Sequence, residues 1–160
     1  MPVPNTPYTP MLEGRDPIVA MPDTIARMAA VVEHWTPEQF ERPVAPGKWT
    51  ARQVLMHLAQ TEMALGTRAR MALTSPGYAA QSFDQDRWLD LESGMSGIDA
   101  LHAFTAIGSL NAALYAGLSD DARQTVLTHS EYGSMTVDWV IYQEAGHQLH
   151  HLRQLESLVP

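Results

Sequence analysis

The chain contains no cysteine. A disulfide framework and a thiolate metal site are therefore both excluded, and any metal ion must be held by nitrogen and oxygen ligands. At 160 residues the chain fits one domain that buries enough surface to fold without a covalent cross-link. The lack of cysteine also fits a reducing compartment, and we expect a cytoplasmic protein.

Basic residues are scarce as well. Ten lysines and arginines stand against 18 acidic residues, which gives a formal net charge of −8. Without a positive field to displace counterions, nonspecific binding to nucleic acid is disfavoured. Runs of about 18 apolar residues and a basic leader before an apolar stretch are also missing, so neither a membrane span nor a signal peptide is predicted. Small molecules are the expected partners.

The N-terminal residues show little apolar periodicity. Residues 1–15 contain four prolines, which predicts an extended arm that lies over the surface or is partly disordered, and we assign it no chemistry. Residues 16–160 are predicted to form a single domain. This part has no glycine-rich phosphate loop and no Gly-x-Ser-x-Gly elbow.

Apolar periodicity and capping signals predict four long helices. Their predicted extents are Pro22–Val32 with Pro22 in the first turn, Thr50 to about Leu73, Ile98–Ala116, and Thr136 to Leu158. The link 74–97 is predicted to contain a short helix at 83–91 capped by Ser82. A link of this length can carry the chain back along the molecule, so the second and third helices need not be antiparallel neighbours. The sequence therefore predicts an all-α bundle, with an extended piece possible at 125–128.

Histidines concentrate near the C-terminus. His147 and His151 are four residues apart, which puts both imidazoles on one helix face, close enough to share a metal ion. His150 projects about 100° away and is not a predicted ligand. His57 lies at the border of the apolar stripe of the second long helix, where an imidazole can enter a cavity between helices. Three neutral histidines would leave one coordination position open, as in catalytic metal sites. The alternatives are a chance pair and an ordinary hydrogen-bonded border histidine.

Glu144 lies one turn before His147 on the same core-facing stripe. A polar group there costs roughly 1–3 kcal/mol unless it is paired. It could act as a base just outside the ligand set, or it could be a buried carboxylate paired with an arginine such as Arg68 or Arg70. A ferritin-like dinuclear site would need a second Glu-x-x-His, and the sequence has no second copy.

Three segments share the sequence pattern of a known family: 46–62, 131–137 and 147–155. Together they resemble the DinB-like superfamily of bacterial four-helix metalloproteins, and the resemblance covers residues 16–158. It implies a four-helix bundle of up-down-down-up topology with a long crossover between the second and third helices. It also implies a mononuclear divalent metal held by His57, His147 and His151.

The resemblance is less specific for the reaction. Members of that family include S-transferases that use low-molecular-weight thiols, a maleylpyruvate isomerase and metal-dependent hydrolases, and homodimers are common among them. We therefore predict a homodimeric enzyme in which Zn²⁺, or alternatively Ni²⁺, Fe²⁺ or Mn²⁺, activates water or a thiol cosubstrate for attack on a small molecule. The alternative is a noncatalytic bundle that binds a metal or small ligand or acts through dimerisation.

Overall fold

The computed structural model describes residues 2–159 and is mostly helical. The helices are α1 (Pro17–Val32), α2 (Pro37–Phe40), α3 (Ala51–Thr74), α4 (Gln85–Leu91), α5 (Gly97–Ala116), α6 (Asp120–Arg123) and α7 (Val137–Glu156). A 3-10 turn at Thr9–Leu12 precedes them, and the strands are β1 (Ala79–Ala80), β2 (Val126–His129) and β3 (Gly133–Thr136). The four long helices confirm the predicted all-α, four-helix-bundle class. Of the helices in residues 2–159, none is both long and apolar enough to cross a lipid bilayer.

Side-chain caps fix where the two histidine-bearing helices begin. Thr50 and Gln53 form a capping box at the start of α3, in which each side chain accepts a hydrogen bond from the backbone N–H of the other. The Thr136 hydroxyl accepts from the Trp139 N–H at the start of α7. Both starts agree with the sequence pattern.

Two other predicted helix starts are wrong. α1 begins at Pro17, because Asp16 accepts from the Ile18 N–H as its cap, and Pro22 therefore lies inside the helix. Proline at the first helical position lacks an N–H that would have no partner there, whereas Pro22 costs one internal hydrogen bond. α4 is capped by Asp84 and not by Ser82.

The long helices follow an up-down-down-up order. α3 packs against α5 and α7, and α1 packs against the same two helices. The order around the bundle is thus α1, α7, α3, α5, which makes α3 and α5 neighbours although they run in the same direction. The link at 75–96 carries the chain back along the molecule between them, as the topology requires.

A small sheet joins the two long links. β1, in the link after α3, pairs in parallel with β2, and β2 pairs with β3 as an antiparallel hairpin that leads into α7. Burial alternates along β2, with Leu127 and His129 facing the bundle. The sheet therefore closes one side of the bundle between α3 and α7.

Residues 2–15 lie along α7. Leu12 and Thr6 are buried, and the Trp139 indole donates to the Asn5 carbonyl over 3.2 Å. Gly146 lets the segment approach, because a Cβ at this position would overlap the backbone of Tyr8. The close approach brings the Tyr8 ring against α7.

The interior consists of two apolar clusters with polar residues between them. One cluster includes Leu58 and Leu152, and the other includes Leu65 and Ile141. Most of the buried polar side chains of α3, α5 and α7 lie beside or between these residues, and Arg68 and Asp138 are the exceptions. The group comprises His57, Gln60, Thr61, Glu62, Asn111, Glu144, His147, Gln148 and His151. The polar layer is where a functional site is expected, since unpaired polar groups in a core are costly.

Candidate metal centre

His57 of α3 meets His147 and His151 of α7 inside the bundle. His147 Nε2 lies 3.1 Å from His57 Nε2 and 3.0 Å from His151 Nε2. The three candidate ligand atoms all lie within 4.8 Å of one another, and each residue is at most 6% exposed. The structure thus brings together the three histidines that the sequence singled out.

The spacing of these nitrogens fits one small cation. Metal–nitrogen bonds of about 2.0–2.1 Å at tetrahedral angles would place ligand nitrogens roughly 3.3 Å apart. His147 Nε2 contacts both other rings, and a neutral imidazole nitrogen cannot donate a proton to both. Three lone pairs directed at a shared cation would resolve this crowding.

The Nδ1 atoms of the three histidines, which point away from the shared centre, have different surroundings. His151 Nδ1 lies 2.8 Å from Gln154 Oε1, so this nitrogen carries the proton and Nε2 keeps its lone pair free for a ligand. His57 Nδ1 and His147 Nδ1 have no hydrogen-bond partner among residues 2–159. Their rings instead pack against aromatic side chains, with centroids 4.8 Å apart for Trp49 and His57 and 4.9 Å apart for Tyr8 and His147.

All three imidazoles are neutral at physiological pH. Burial lowers the pKa of His57 to about 4. Burial, and to a lesser extent repulsion from His57, lowers the pKa of His151 to about 3. The pKa of His147 lies well below its ordinary value because of burial and the neighbouring imidazoles. Neutral imidazole is the form that coordinates metals.

His57 and His147 form part of the wall of a cavity of about 200 Å³. α3 contributes Thr61 and α7 contributes Gln143, each one turn from a histidine. Thr61 Oγ1 and Gln143 Oε1 are buried and have no hydrogen-bond partner in the described chain. These oxygens are available to polar atoms of a ligand that enters the cavity.

Glu144 lies in a separate buried network. Its carboxyl oxygens accept hydrogen bonds from Asn111 Nδ2 over 2.9 Å and from the Tyr115 hydroxyl over 2.7 Å. Glu144 and Glu62 are also hydrogen-bonded to each other, and Glu62 accepts from Gln148 Nε2 over 2.7 Å. None of these contacts reaches a histidine.

Burial dominates the charge state of the two carboxyl groups. It raises the pKa of both, and repulsion from Glu62 raises the pKa of Glu144 further. The hydrogen bond between them raises the pKa of Glu144 and lowers that of Glu62, so Glu144 is the protonated partner and donates to Glu62. One shared proton avoids placing two charges side by side in the core.

The predicted alternative of an arginine partner for Glu144 is wrong. Arg70 donates to Asn111 Oδ1 over 2.8 Å, and Arg68 donates to the Gln81 carbonyl. Asn111 can reach between the carboxyl groups because Gly66 has no side chain; a Cβ there would overlap the Asn111 amide. Periodicity placed Glu144 in the core, but its partners lie on other helices.

Sequence reasoning missed several residues of the site. Tyr8, Arg68, His129 and Trp139 line the cavity, and Glu62 pairs with Glu144. Helical spacing could have identified two of them: Arg68 follows His57 by about three turns and Trp139 precedes His147 by about two, so each lies on the same helix face as a histidine. Tyr8 and His129 reach the site from the N-terminal segment and from β2, and no local pattern signals such long-range contacts.

Comparisons with known sequences agree on one family. The DinB superfamily pattern matches residues 21–155. "Putative metal-dependent hydrolase OB0782" of Oceanobacillus iheyensis is 30% identical over 128 residues, which cover 76% of this chain and 71% of that protein. "Putative metal-dependent hydrolase GK0616" of Geobacillus kaustophilus is 30% identical over 129 residues, which cover 76% and 70%.

A solved structure has the same fold. YfiT from Bacillus subtilis, described as "a probable metal-dependent hydrolase with an unusual four-helix bundle topology", superposes with a TM-score of 0.82 at 22% identity. The match covers 99% of this chain and 90% of that one. At this identity the likeness establishes the architecture, including the order of the four long helices.

Proposed function

This chain belongs to the DinB superfamily, and from that premise we propose that it is a metal-dependent enzyme whose single divalent cation is held by His57, His147 and His151. The observation that supports the proposal is the convergence of three neutral Nε2 atoms beside a cavity. An all-nitrogen set with one open position suits Zn²⁺, with Ni²⁺, Fe²⁺ and Mn²⁺ as alternatives.

A cation in this position would supply Lewis acidity, which makes water or a thiol a nucleophile at neutral pH. The chain's own residues contribute orientation and exclusion of water. Gln154 fixes the tautomer of His151, and the rings of Trp49 and Tyr8 cover His57 and His147. Thr61 and Gln143 offer unpaired oxygens to a substrate in the cavity.

We propose a hydrolytic reaction on a small molecule, with thiol transfer as the competing reaction. Hydrolysis is the activity in the names of the relatives from Oceanobacillus and Geobacillus. A thiol nucleophile would have to come from a cosubstrate, because the chain has no cysteine. A panel of esters, amides and electrophiles, each assayed with and without low-molecular-weight thiols, distinguishes the two reactions.

The metal site is tested by replacing single ligands. His147→Ala and His57→Ala are expected to lose most of the metal that the parent retains after desalting, because two histidines hold a divalent cation far more weakly than three. His150→Ala is the matched control: His150 lies on the same helix and packs edge-on against His151, with ring centroids 4.9 Å apart, but it offers no atom to the group of candidate ligand atoms. Metal per protein is measured by plasma mass spectrometry. Equal metal content in all four proteins would contradict the site.

Proton transfer by Glu144 stays a prediction. The variant Glu144→Gln cannot accept a proton but keeps the shape of the side chain. If Glu144 assists the reaction, this variant is expected to retain metal and lose turnover. Unchanged turnover would restrict Glu144 to the buried network. A homodimer is likewise proposed, and sedimentation velocity of the metal-loaded protein tests it.

A further inference from the structure

One arginine in the cavity wall has no acidic partner. Arg68 is only 9% exposed and lines the same cavity as His57 and His147. Its Nη2 donates to the Gln81 carbonyl, and its guanidinium lies 5.9 Å from the centroid of the Phe83 ring. Among residues 2–159, no carboxylate oxygen lies within 4.0 Å of it, whereas four other arginines form ion pairs: Arg27, Arg52, Arg123 and Arg153.

Another four arginines also form no ion pair within residues 2–159, but each of them is more exposed than Arg68: Arg15, Arg42, Arg70 and Arg87. A buried cation is costly unless an anion compensates it. Glu131 also lines the cavity and acts on Arg68 from a greater distance, but burial is the larger influence and lowers the pKa of Arg68. The guanidinium therefore keeps N–H groups free for a planar anion, which it can bind with two parallel hydrogen bonds.

The position of Arg68 on α3 defines the length of the ligand. Eleven residues separate it from His57, which corresponds to about 16 Å along a helix axis. Side chains lean toward the N-terminus of a helix, so the guanidinium lies nearer to the histidines than its backbone does. The wall also includes apolar and aromatic side chains: Tyr8, Leu65, Phe83, Tyr132 and Trp139.

We propose that Arg68 binds the carboxylate of an elongated, apolar-centred substrate whose reacting group lies at the His57/His147/His151 site. The inference rests on the proposed function, because it assumes that the reaction occurs at those histidines. It assigns Arg68 as a specificity-determining residue that selects carboxylic acids over uncharged molecules of the same length.

Matched thiol probes test the proposal on the cobalt-loaded protein. 8-Mercaptooctanoate and 8-mercaptooctanol are the same length and differ in one terminal group, and binding of either sulfur to cobalt changes the absorption spectrum. We expect the acid to bind roughly 10- to 100-fold more tightly than the alcohol, as charge-assisted hydrogen bonds predict. 3-Mercaptopropionate should show no such advantage over 3-mercaptopropanol, because its chain is too short to span the cavity.

Variants assign the preference to Arg68. Arg68→Met should bring the ratio of the two dissociation constants near one, and Arg68→Lys should restore part of it, since lysine keeps the charge but not the two-pronged geometry. Arg87→Met on α4 is the control, because Arg87 does not line the cavity. A ratio within one protein is informative even if the loss of the Gln81 contact loosens the fold, since loosening weakens both probes.

The outcomes separate this inference from the proposed function. If cobalt does not bind, or binds equally well to His147→Ala, the proposed metal site is wrong. Arg68 can then still be tested in the metal-free protein by titrating octanoate and octanol and following tryptophan fluorescence. If cobalt binds but neither octyl thiol does, or if the acid-to-alcohol ratio is below twofold or unaffected by Arg68→Met, the carboxylate site is wrong. A preference that is lost only in the Arg68 variants supports it.

Discussion

At the scale of residues, burial keeps both the histidine trio and Glu144 uncharged. The histidine trio is neutral because burial disfavours the imidazolium, and this neutral form is the one that a cation requires. Glu144 is neutral because burial and Glu62 disfavour its carboxylate. Among its titratable groups, the polar layer therefore carries only the single negative charge that Glu62 and Glu144 share.

Glu144→Gln is expected to stabilise the protein. The folded pKa of Glu144 is raised above its ordinary value of 4.5, so the protonated group stabilises the fold below that pH, and the stabilisation is lost as pH rises. Glutamine avoids this cost and can still donate to Glu62, but its single oxygen replaces only one of the two carboxyl oxygens that accept from Tyr115 and from Asn111. We expect the free energy of unfolding to rise relative to the parent at pH 7, and to rise less at pH 4.5, measured by urea denaturation.

Glu156→Gln provides the control on the same helix. Glu156 forms a partly exposed ion pair with Arg27, so removing its charge should cost less than about 1 kcal/mol. A loss of stability in Glu144→Gln at pH 7, equal to or larger than that in Glu156→Gln, would contradict a protonated Glu144.

The sequence predicted part of the site for a physical reason. His147 and His151 share a face by helical geometry alone, and His57 borders an apolar stripe, so periodicity could find all three. Periodicity reports which residues point inward, but not which helices meet. The structure was therefore needed to show that Glu62 is the partner of Glu144. It was also needed to show that Arg68 binds a backbone carbonyl and not a carboxylate.

At the scale of elements, close packing of the N-terminal segment on α7 covers one side of the site. The backbone of Tyr8 lies where a Cβ of residue 146 would stand, and the Tyr8 ring contacts His147. A helix normally gains up to about 1 kcal/mol when glycine is replaced by alanine. The presence of glycine in the middle of α7 is explained by this contact.

Gly146→Ala is expected to displace the N-terminal segment without unfolding the bundle. The added methyl group would overlap the backbone of Tyr8, and such overpacking costs about 1–3 kcal/mol. Trypsin should then cleave after Arg15 faster than in the parent, and the urea midpoint of the helical signal should fall, because a cost of this size lowers the free energy of unfolding. Gly94→Ala is the control, because nothing lies within 4 Å of a Cβ there. Unchanged cleavage in Gly146→Ala would mean that the contact is not tight.

The elements themselves differed in how well the sequence specified them. Thr50 and Thr136 are strong caps before long apolar stripes, so the starts of α3 and α7 were predicted correctly. Asp16 and Asp84 compete with nearby Pro22 and Ser82 as start signals, and the local sequence does not decide between them. The extended piece predicted at 125–128 overlaps β2, whereas β1 has two residues, which is too short for a clear alternating pattern.

At the scale of the whole molecule, α3, α5 and α7 each contribute to one polar layer between two apolar clusters. A bundle without the layer would be easier to stabilise, because burying polar groups is costly. Stability and the proposed metal site are therefore coupled. Whatever binds only the folded protein at the three histidines stabilises the whole bundle.

The coupling makes the stability of the metal-free protein depend on pH. For a histidine whose folded pKa is lowered, the stabilisation is complete above the ordinary value of 6.5 and is lost as pH falls toward the folded value. For His57 that window runs from 6.5 to about 4, which corresponds to about 3 kcal/mol. His151, with a pKa of about 3, acts in the same direction, whereas Glu62 and Glu144 oppose it because their stabilisation is lost as pH rises.

The contribution of the histidines to the pH dependence of stability can be isolated in the Glu144→Gln variant, because this change weakens the opposing pH dependence of the carboxyl pair. In the presence of a chelator, the free energy of unfolding from urea titrations is expected to fall steeply between pH 6.5 and pH 4.5. His57→Phe, which removes one protonation site but keeps a ring beside Trp49, should flatten the profile more than His150→Phe, because burial lowers the pKa of His57 to about 4 and also lowers the pKa of the more exposed His150. Added Zn²⁺ should raise stability at pH 7.5, and the gain should shrink toward pH 5 as protons compete for the ligands. A flat profile in the chelated protein, with no difference between the two phenylalanine variants, would mean that the three imidazoles are not buried as neutral groups.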